Sequence, residues 1–295
     1  AGGSAAASRG LMAYQRSEET TADRSALVYL DKTGQSAKGL IQSFEGLERA
    51  NLLSGVSPSR YATSHPAPRD RIALLQTLAR QSPHFDKADE PSLQLRHDLA
   101  RAKIAAYGEG SGQVRRLFSR DPRGLPASYG DAISAHLAGS PSVALQKIDA
   151  LIKANTKSPW FHEIRGEILM EAGRSKDAAA AFSKAAALDP SKSGLIEASI
   201  GQAMVTSGDP AEMKQAIALI KRGLDADPSN GTAYRFLALA YGQLGDVASA
   251  ELATAEGYWV NGATQDARLF AARAQLKLKP GTPQWLQAQD IISTK

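Results

Sequence analysis

The chain has 295 residues, 43% of them hydrophobic and 22% charged, with 35 basic and 30 acidic side chains for a net charge of +5. That composition is globular and excludes a disordered chain. No apolar run reaches the roughly 18 residues of a membrane-spanning helix, the interleaved charges leave no basic stripe for nucleic acid, and the lack of cysteine excludes disulfides and thiolate chemistry.

The chain opens on AGGSAAASRG, without Met and without the charged start and apolar core of a signal peptide. It is read as a fragment whose upstream part was removed. Residues 4–33 predict one long helix, with Leu11, Tyr14, Ala22, Ala26 and Leu30 at helical spacing and Gly34 as its C-cap. A second helix is expected from Ser36, an N-cap candidate, to Asn51, with Leu40, Phe44 and Leu47 on its apolar face. An irregular Ser- and Pro-rich segment follows. Pro68 then opens a third helix carrying Ile72, Leu74, Leu75 and Leu78. Ser82–Pro91 reads as a linker.

From Ser92 the pattern is helix pairs to the end. The unit Pro159–Lys192 is the clearest. Small residues fall at Gly166, Ala178 and Ala185, a turn glycine at Gly173, Phe182 beside them and Pro190 as a stop. These are the spacings of a 34-residue tetratricopeptide (TPR) unit. Two amphipathic helices cross closely only over small side chains, glycine ends the first in a left-handed turn, and proline ends the second. Units starting at Gly194 and Gly231 follow in frame, degenerate pairs precede, and a last pair near 263–278 and 283–293 reads as a terminal cap with a Leu269/Phe270/Leu276 face. A solenoid of this kind presents a concave surface to a partner segment. The first-helix positions expected to point there include Trp160, Glu163, Glu167, Met170, Gln202, Arg235 and Leu239. His97, His136 and His162, in helical segments, and His84, in the linker, are read as structural.

The first helix carries a charge cluster. Glu19 and Asp23, four apart, share a face, and Arg16 sits one turn before Glu19. By spacing alone this is a solvated cluster. The run R-x-x-E-x-x-A-D from Arg16 to Asp23, followed by Tyr29, Leu30 and Gly34, resembles the downstream ligand helix of HExxH metallopeptidases of the BepA/HtpX type. The later stretch Ser64-His65-Pro66, then Arg71-Ile72, is similar to that family's S/T-H-P-x-x-x-x-R-I segment, and the repeats are similar to the repeat region of its BepA-like branch.

The resemblance implies that Glu19 is a zinc ligand, that Asp23 orients a ligand histidine with Arg16 beside it, and that His65 is a candidate fourth ligand able to gate the metal. It also implies a periplasmic setting, protein or peptide substrates, and an outer-membrane assembly component as a candidate partner. No H-E-x-x-H occurs in the 295 residues. The chain alone is therefore expected to be inactive and to hold no zinc, with the 53–67 segment displaced. The expected architecture is all-α: a small helical remnant of a metallopeptidase domain at 1–82, then a TPR-type solenoid at 91–295. The alternative is a non-enzymatic TPR adaptor, and an H-E-x-x-H upstream in the gene decides between them.

Overall fold

Apolar residues at intervals of three and four, with glycine or proline at nearly every break, leave the chain little choice but helices that pack side by side. The computed structural model describes residues 2–53 and 68–294, and among these there are fifteen helices and no strand. Two compact units, Ala1–Arg96 and His97–Lys295, divide the chain. His65 and most of the 53–67 segment lie outside the described residues.

The first unit contains α1 (Gly2–Lys32), α2 (Lys38–Leu53) and α3 (Pro68–Ala79). At the end of α1, Gly34 takes φ +66°, and the N–H of Gln35 closes the turn on the carbonyl of Leu30 at 2.8 Å. The Ser36 hydroxyl accepts the N–H of Lys38 and donates to the carbonyl of Phe85. Ile41, Ile72, Leu75 and Ala79 form the core, with Leu27, Leu30, Phe44 and Phe85 against it. Two expected core residues face out instead: Leu47 is 52% exposed and Tyr14 62%. On α1 it is Asp23, next to the exposed Ala22, that is buried. The stretch expected as a linker is tied down, because Ser82 donates to Asp31, Lys87 reaches the carbonyl of Gly34, and Asp86 pairs with Lys38.

Helix α4 (Pro91–Glu109) carries the chain across the division into the second unit. There α5 (Ser111–Leu117), α6 (Leu125–Leu137), α7 (Pro141–Ala154), α8 (Pro159–Glu171) and α9 (Ser175–Leu188) follow. Next come α10 (Gly194–Ser207), α11 (Met213–Ala226), α12 (Gly231–Gln243), α13 (Val247–Val260), α14 (Thr264–Gln275) and α15 (Pro283–Ser293). From α6 onward each helix packs on the next. Gly173 and Gly208 turn the chain with φ +72° and +71°, where a Cβ would be strained. One apolar cluster joins Leu169 of α8, Phe182 of α9, Ile200 of α10 and Leu219 of α11, and the next joins Val205, Ile220, Leu237 and Ala253, so each repeat buries its face only against its neighbours.

The terminal cap uses a different stripe from the expected one. Ala267, Ala271 and Ala274 of α14 are fully buried against Leu252 of α13 and Ala288 and Ile291 of α15, and Phe270 packs at the edge. Leu269 and Leu276 are 56% and 88% exposed. Alanines at spacings of three and four let both neighbours approach, and the leucines are displaced to the outer side.

A Cβ on Gly201 would stand 2.7 Å from the carbonyl oxygen of Ala216, whereas one on the helical Gly108 meets nothing within 4 Å. Gly201→Ala is therefore expected to cost about 1–3 kcal/mol. Gly108→Ala should stabilise by roughly 0.5–1 kcal/mol. Urea denaturation of the two variants checks the pair, and a Gly201→Ala protein as stable as wild type would contradict this helix crossing.

Candidate functional site

In the first unit the charge cluster on α1 acquires a partner that sequence spacing does not reveal. Arg71 of α3 reaches α1, where its Nε and Nη2 donate to the two carboxylate oxygens of Asp23, each at 2.7 Å, and its Nη1 donates to Glu19 Oε2 at 2.7 Å. The guanidinium lies over the ring of Phe44, 4.4 Å from its centroid. A planar cation held by two carboxylates and one aromatic face is the geometry that only arginine satisfies. Arg16, the cation one turn before Glu19 in sequence, makes no ion pair among the described residues; its carbonyl accepts the hydroxyl of Thr20. Arg71 lies 48 residues from Asp23, and its place in the R-I segment was the one signal that could have marked it.

Among the described residues no three His, Cys, Asp or Glu side chains converge as a metal would require. The carboxylates that do converge, Glu19 and Asp23, are bonded to a cation. The described residues therefore do not by themselves fit a zinc ion, which needs three nitrogen or oxygen ligands beside its water.

In the second unit the expected recognition residues divide. Glu163 and Glu167 of α8 are engaged from within, because Lys103 of α4 lies 3.2 Å from Glu163 and 3.7 Å from Glu167, and Tyr107 donates its hydroxyl to Glu167. Burial raises the Glu163 carboxyl above its usual range, with Lys103 pulling it back. Burial, then the charge of Glu167, also pushes the Tyr107 phenol up. Beneath them Tyr129 of α6 is buried against Phe161, 5.3 Å between ring centroids, and its hydroxyl has no hydrogen-bond partner among the described residues. Trp160, Met170 and Gln202 are half-buried, and Met170 packs on the Leu169/Phe182 cluster. Ala198 and Val205, in the same phase on α10, are buried outright.

Arg235 and Leu239 are the two that face an open groove. It is about 670 Å³ and runs between α12 and α13, bounded by Ala238, Gly242, Thr254 and Tyr258. Leu239 is 49% exposed. Arg235 is exposed and lies over the neighbouring Phe236 ring. At the groove's edge Glu251, buried, is neutralised by Arg273 at 2.7 Å and by Lys277 of the following segment. The groove is thus largely apolar, and Arg235 is the cation in its lining that makes no ion pair among the described residues. Of the histidines, His136 is buried with Nδ1 3.5 Å from Glu171, and burial lowers the pKa of His162.

Comparison with known proteins adds to this geometry. Residues 1–79 match Peptidase family M48, and residues 154–256 match the Cytochrome c-type biogenesis protein H TPR domain. A putative beta-barrel assembly-enhancing protease of Vibrio cholerae serotype O1 is 32% identical over 127 residues, 42% of this chain. The match covers 25% of that relative's length. Among solved structures, MamA is 18% identical with a TM-score of 0.44, covering 55% of this chain and 95% of its own. PilW, a type IV pilus biogenesis factor, is 20% identical with a TM-score of 0.44, covering 68% and 100%.

Arg71→Met would leave the Asp23 carboxylate, 8% exposed as a side chain, without its cation. The expected loss is on the order of 3 kcal/mol in the stability of the first unit. Arg71→Lys should recover only part of it, because an ammonium cannot bind two carboxylates through a planar fork. Chemical denaturation of the three proteins measures both differences.

Proposed function

We propose that this chain, an M48-type metallopeptidase segment joined to a TPR domain, serves a zinc-dependent endopeptidase of envelope protein quality control by holding protein substrates or partners on its repeats. The groove between α12 and α13 carries this reading, since it joins an apolar floor to the uncommitted cation Arg235. An extended segment with apolar side chains and a carboxylate fits it by hydrophobic contact and charge. The relative's name, a beta-barrel assembly-enhancing protease, supports an outer-membrane assembly component or an unfolded β-barrel protein as the occupant, and a periplasmic location. No helix among the described residues is long and apolar enough to cross a membrane.

The peptidase side rests on Glu19 and Asp23. In the complete site Glu19 would ligate zinc and Asp23 would steady a histidine ligand, with zinc supplying the activated water. The histidines and the general base are not among these 295 residues, which contain no H-E-x-x-H. What this chain's own residues do is hold the two carboxylates in place through Arg71.

Two measurements test this reading. Casein incubated with the purified chain and added zinc should remain intact, and zinc-dependent cleavage would refute the division of labour. For recognition, an unfolded outer-membrane β-barrel protein should bind the chain, and Arg235→Ala with Leu239→Glu should weaken that binding about tenfold or more. These surface changes should alter stability by no more than about 0.5 kcal/mol. Unchanged binding in a normally folded double variant would remove the groove from the function.

A further inference from the structure

A second cavity, of about 400 Å³, opens on a different face of α12. Its floor is apolar, made by Leu224 of α11, Leu237 of α12 and Leu252 of α13. Tyr234 and Tyr241 of α12 form one wall, and α15 closes another with Gln284 and Gln287. Glu256 of α13 stands in this cavity. Its carboxylate accepts a hydrogen bond from the side-chain amide of Gln287 and has no ion pair among the described residues. Burial pushes its pKa up to about 7 against the pull of Lys221. Asp225 adds a second, exposed carboxylate at the rim, and the charges of Glu256 and then Asp225 add to burial in raising the Tyr234 phenol.

These features share one missing complement. A carboxylate withdrawn from water and bonded only to a neutral amide is costly until a cation reaches it. Tyrosine faces attract an ammonium or guanidinium. An apolar floor takes the methylene stem that lysine and arginine carry behind their charge. We propose that this cavity is a binding site for a lysine or arginine side chain presented by an extended segment of a partner protein. The site is separate from the groove that carries Arg235 and Leu239. Lys221, on α11 one turn before Asp225, is the internal competitor; it makes no ion pair with either carboxylate.

The test uses the full chain and a fluorescein-labelled pentapeptide with one central lysine between glycines, compared with the same peptide carrying norleucine. Fluorescence anisotropy should show the lysine peptide binding about tenfold more tightly, the worth of one charge-assisted contact. Glu256→Gln should erase that preference, Lys221→Ala should strengthen it, and Arg235→Ala should leave it unchanged. Lowering the pH from about 8 to about 6 should weaken lysine binding as Glu256 takes up its proton.

A melting curve separates binding from folding. Burial holds the folded pKa of Glu256 above the ordinary carboxylate range, so the stability its protonated form allows is present below that range and lost as pH rises towards about 7. Glu256→Gln should therefore melt higher than wild type at about pH 8 and not at about pH 4. Equal binding of the two peptides, or a Glu256→Gln protein that melts as expected yet keeps the lysine preference, would overturn the proposal.

Discussion

Helix pairs in this solenoid stand as close as they do because particular positions have no room for a side chain. A Cβ on Gly166 would fall 2.5 Å from the Phe182 ring, one on Gly201 2.7 Å from the Ala216 carbonyl, and one on Gly223 2.4 Å from the Ala198 Cβ. The last two are held by backbone or Cβ atoms that cannot rotate away. Spacing between paired helices is thereby set by main chain, and the larger residues Phe182, Ile220 and Leu237 fill what remains.

The first unit solves its packing differently. Helices α1, α2 and α3 pack on a small core of Ile41, Ile72 and Leu75, and the contact of α1 with α3 is made in addition by a cation bridging two carboxylates. An ion pair so little exposed adds less net stability than its short distances imply, because both charges were desolvated to make it. It adds direction, however. Arg71 can satisfy Asp23 through both oxygens and reach Glu19 only at one rotation of α3 against α1, with the Phe44 ring beneath it. The pair therefore positions the two α1 carboxylates that the M48 match makes interesting, at the same time as it fastens the helices.

The repeat frame was legible because its signals are local. Glycine at a left-handed turn and small residues at a crossing act within one helix pair, so Gly166, Gly173, Ala178 and Gly208 could be placed from spacing alone. Legibility failed where the partner is remote or where size misleads. Nothing near Asp23 announces a guanidinium 48 residues away, and the helical face drawn through Tyr14 and Ala22 gave way to one on which a carboxylate is buried. In the cap, size points to Leu269 and Leu276 as the buried face, yet Ala267, Ala271 and Ala274 make it, since close packing rewards fit and not size. Glu163 and Glu167 are covered in part because α4, in the degenerate first pair whose spacing sets no frame, lays Lys103 and Tyr107 across them.

Helix α12 shows how much one repeat can carry once its neighbours fix it. Ala233, Leu237 and Ala240 are buried and hold it in the stack. Arg235, Leu239 and Gly242 line the apolar groove, and Tyr234 and Tyr241 line the cavity around Glu256. The three sets are interleaved along thirteen residues, so each turn of the helix supplies packing and both open surfaces at once. Their electrostatics are opposed: a cation stands at the groove, and carboxylates without an ion pair among the described residues stand at the cavity. The cation belongs to α12 itself and the carboxylates to its neighbours α11 and α13, so the two surfaces differ in sign only because the stack brings three helices together, and its fixed spacing keeps the two surfaces apart.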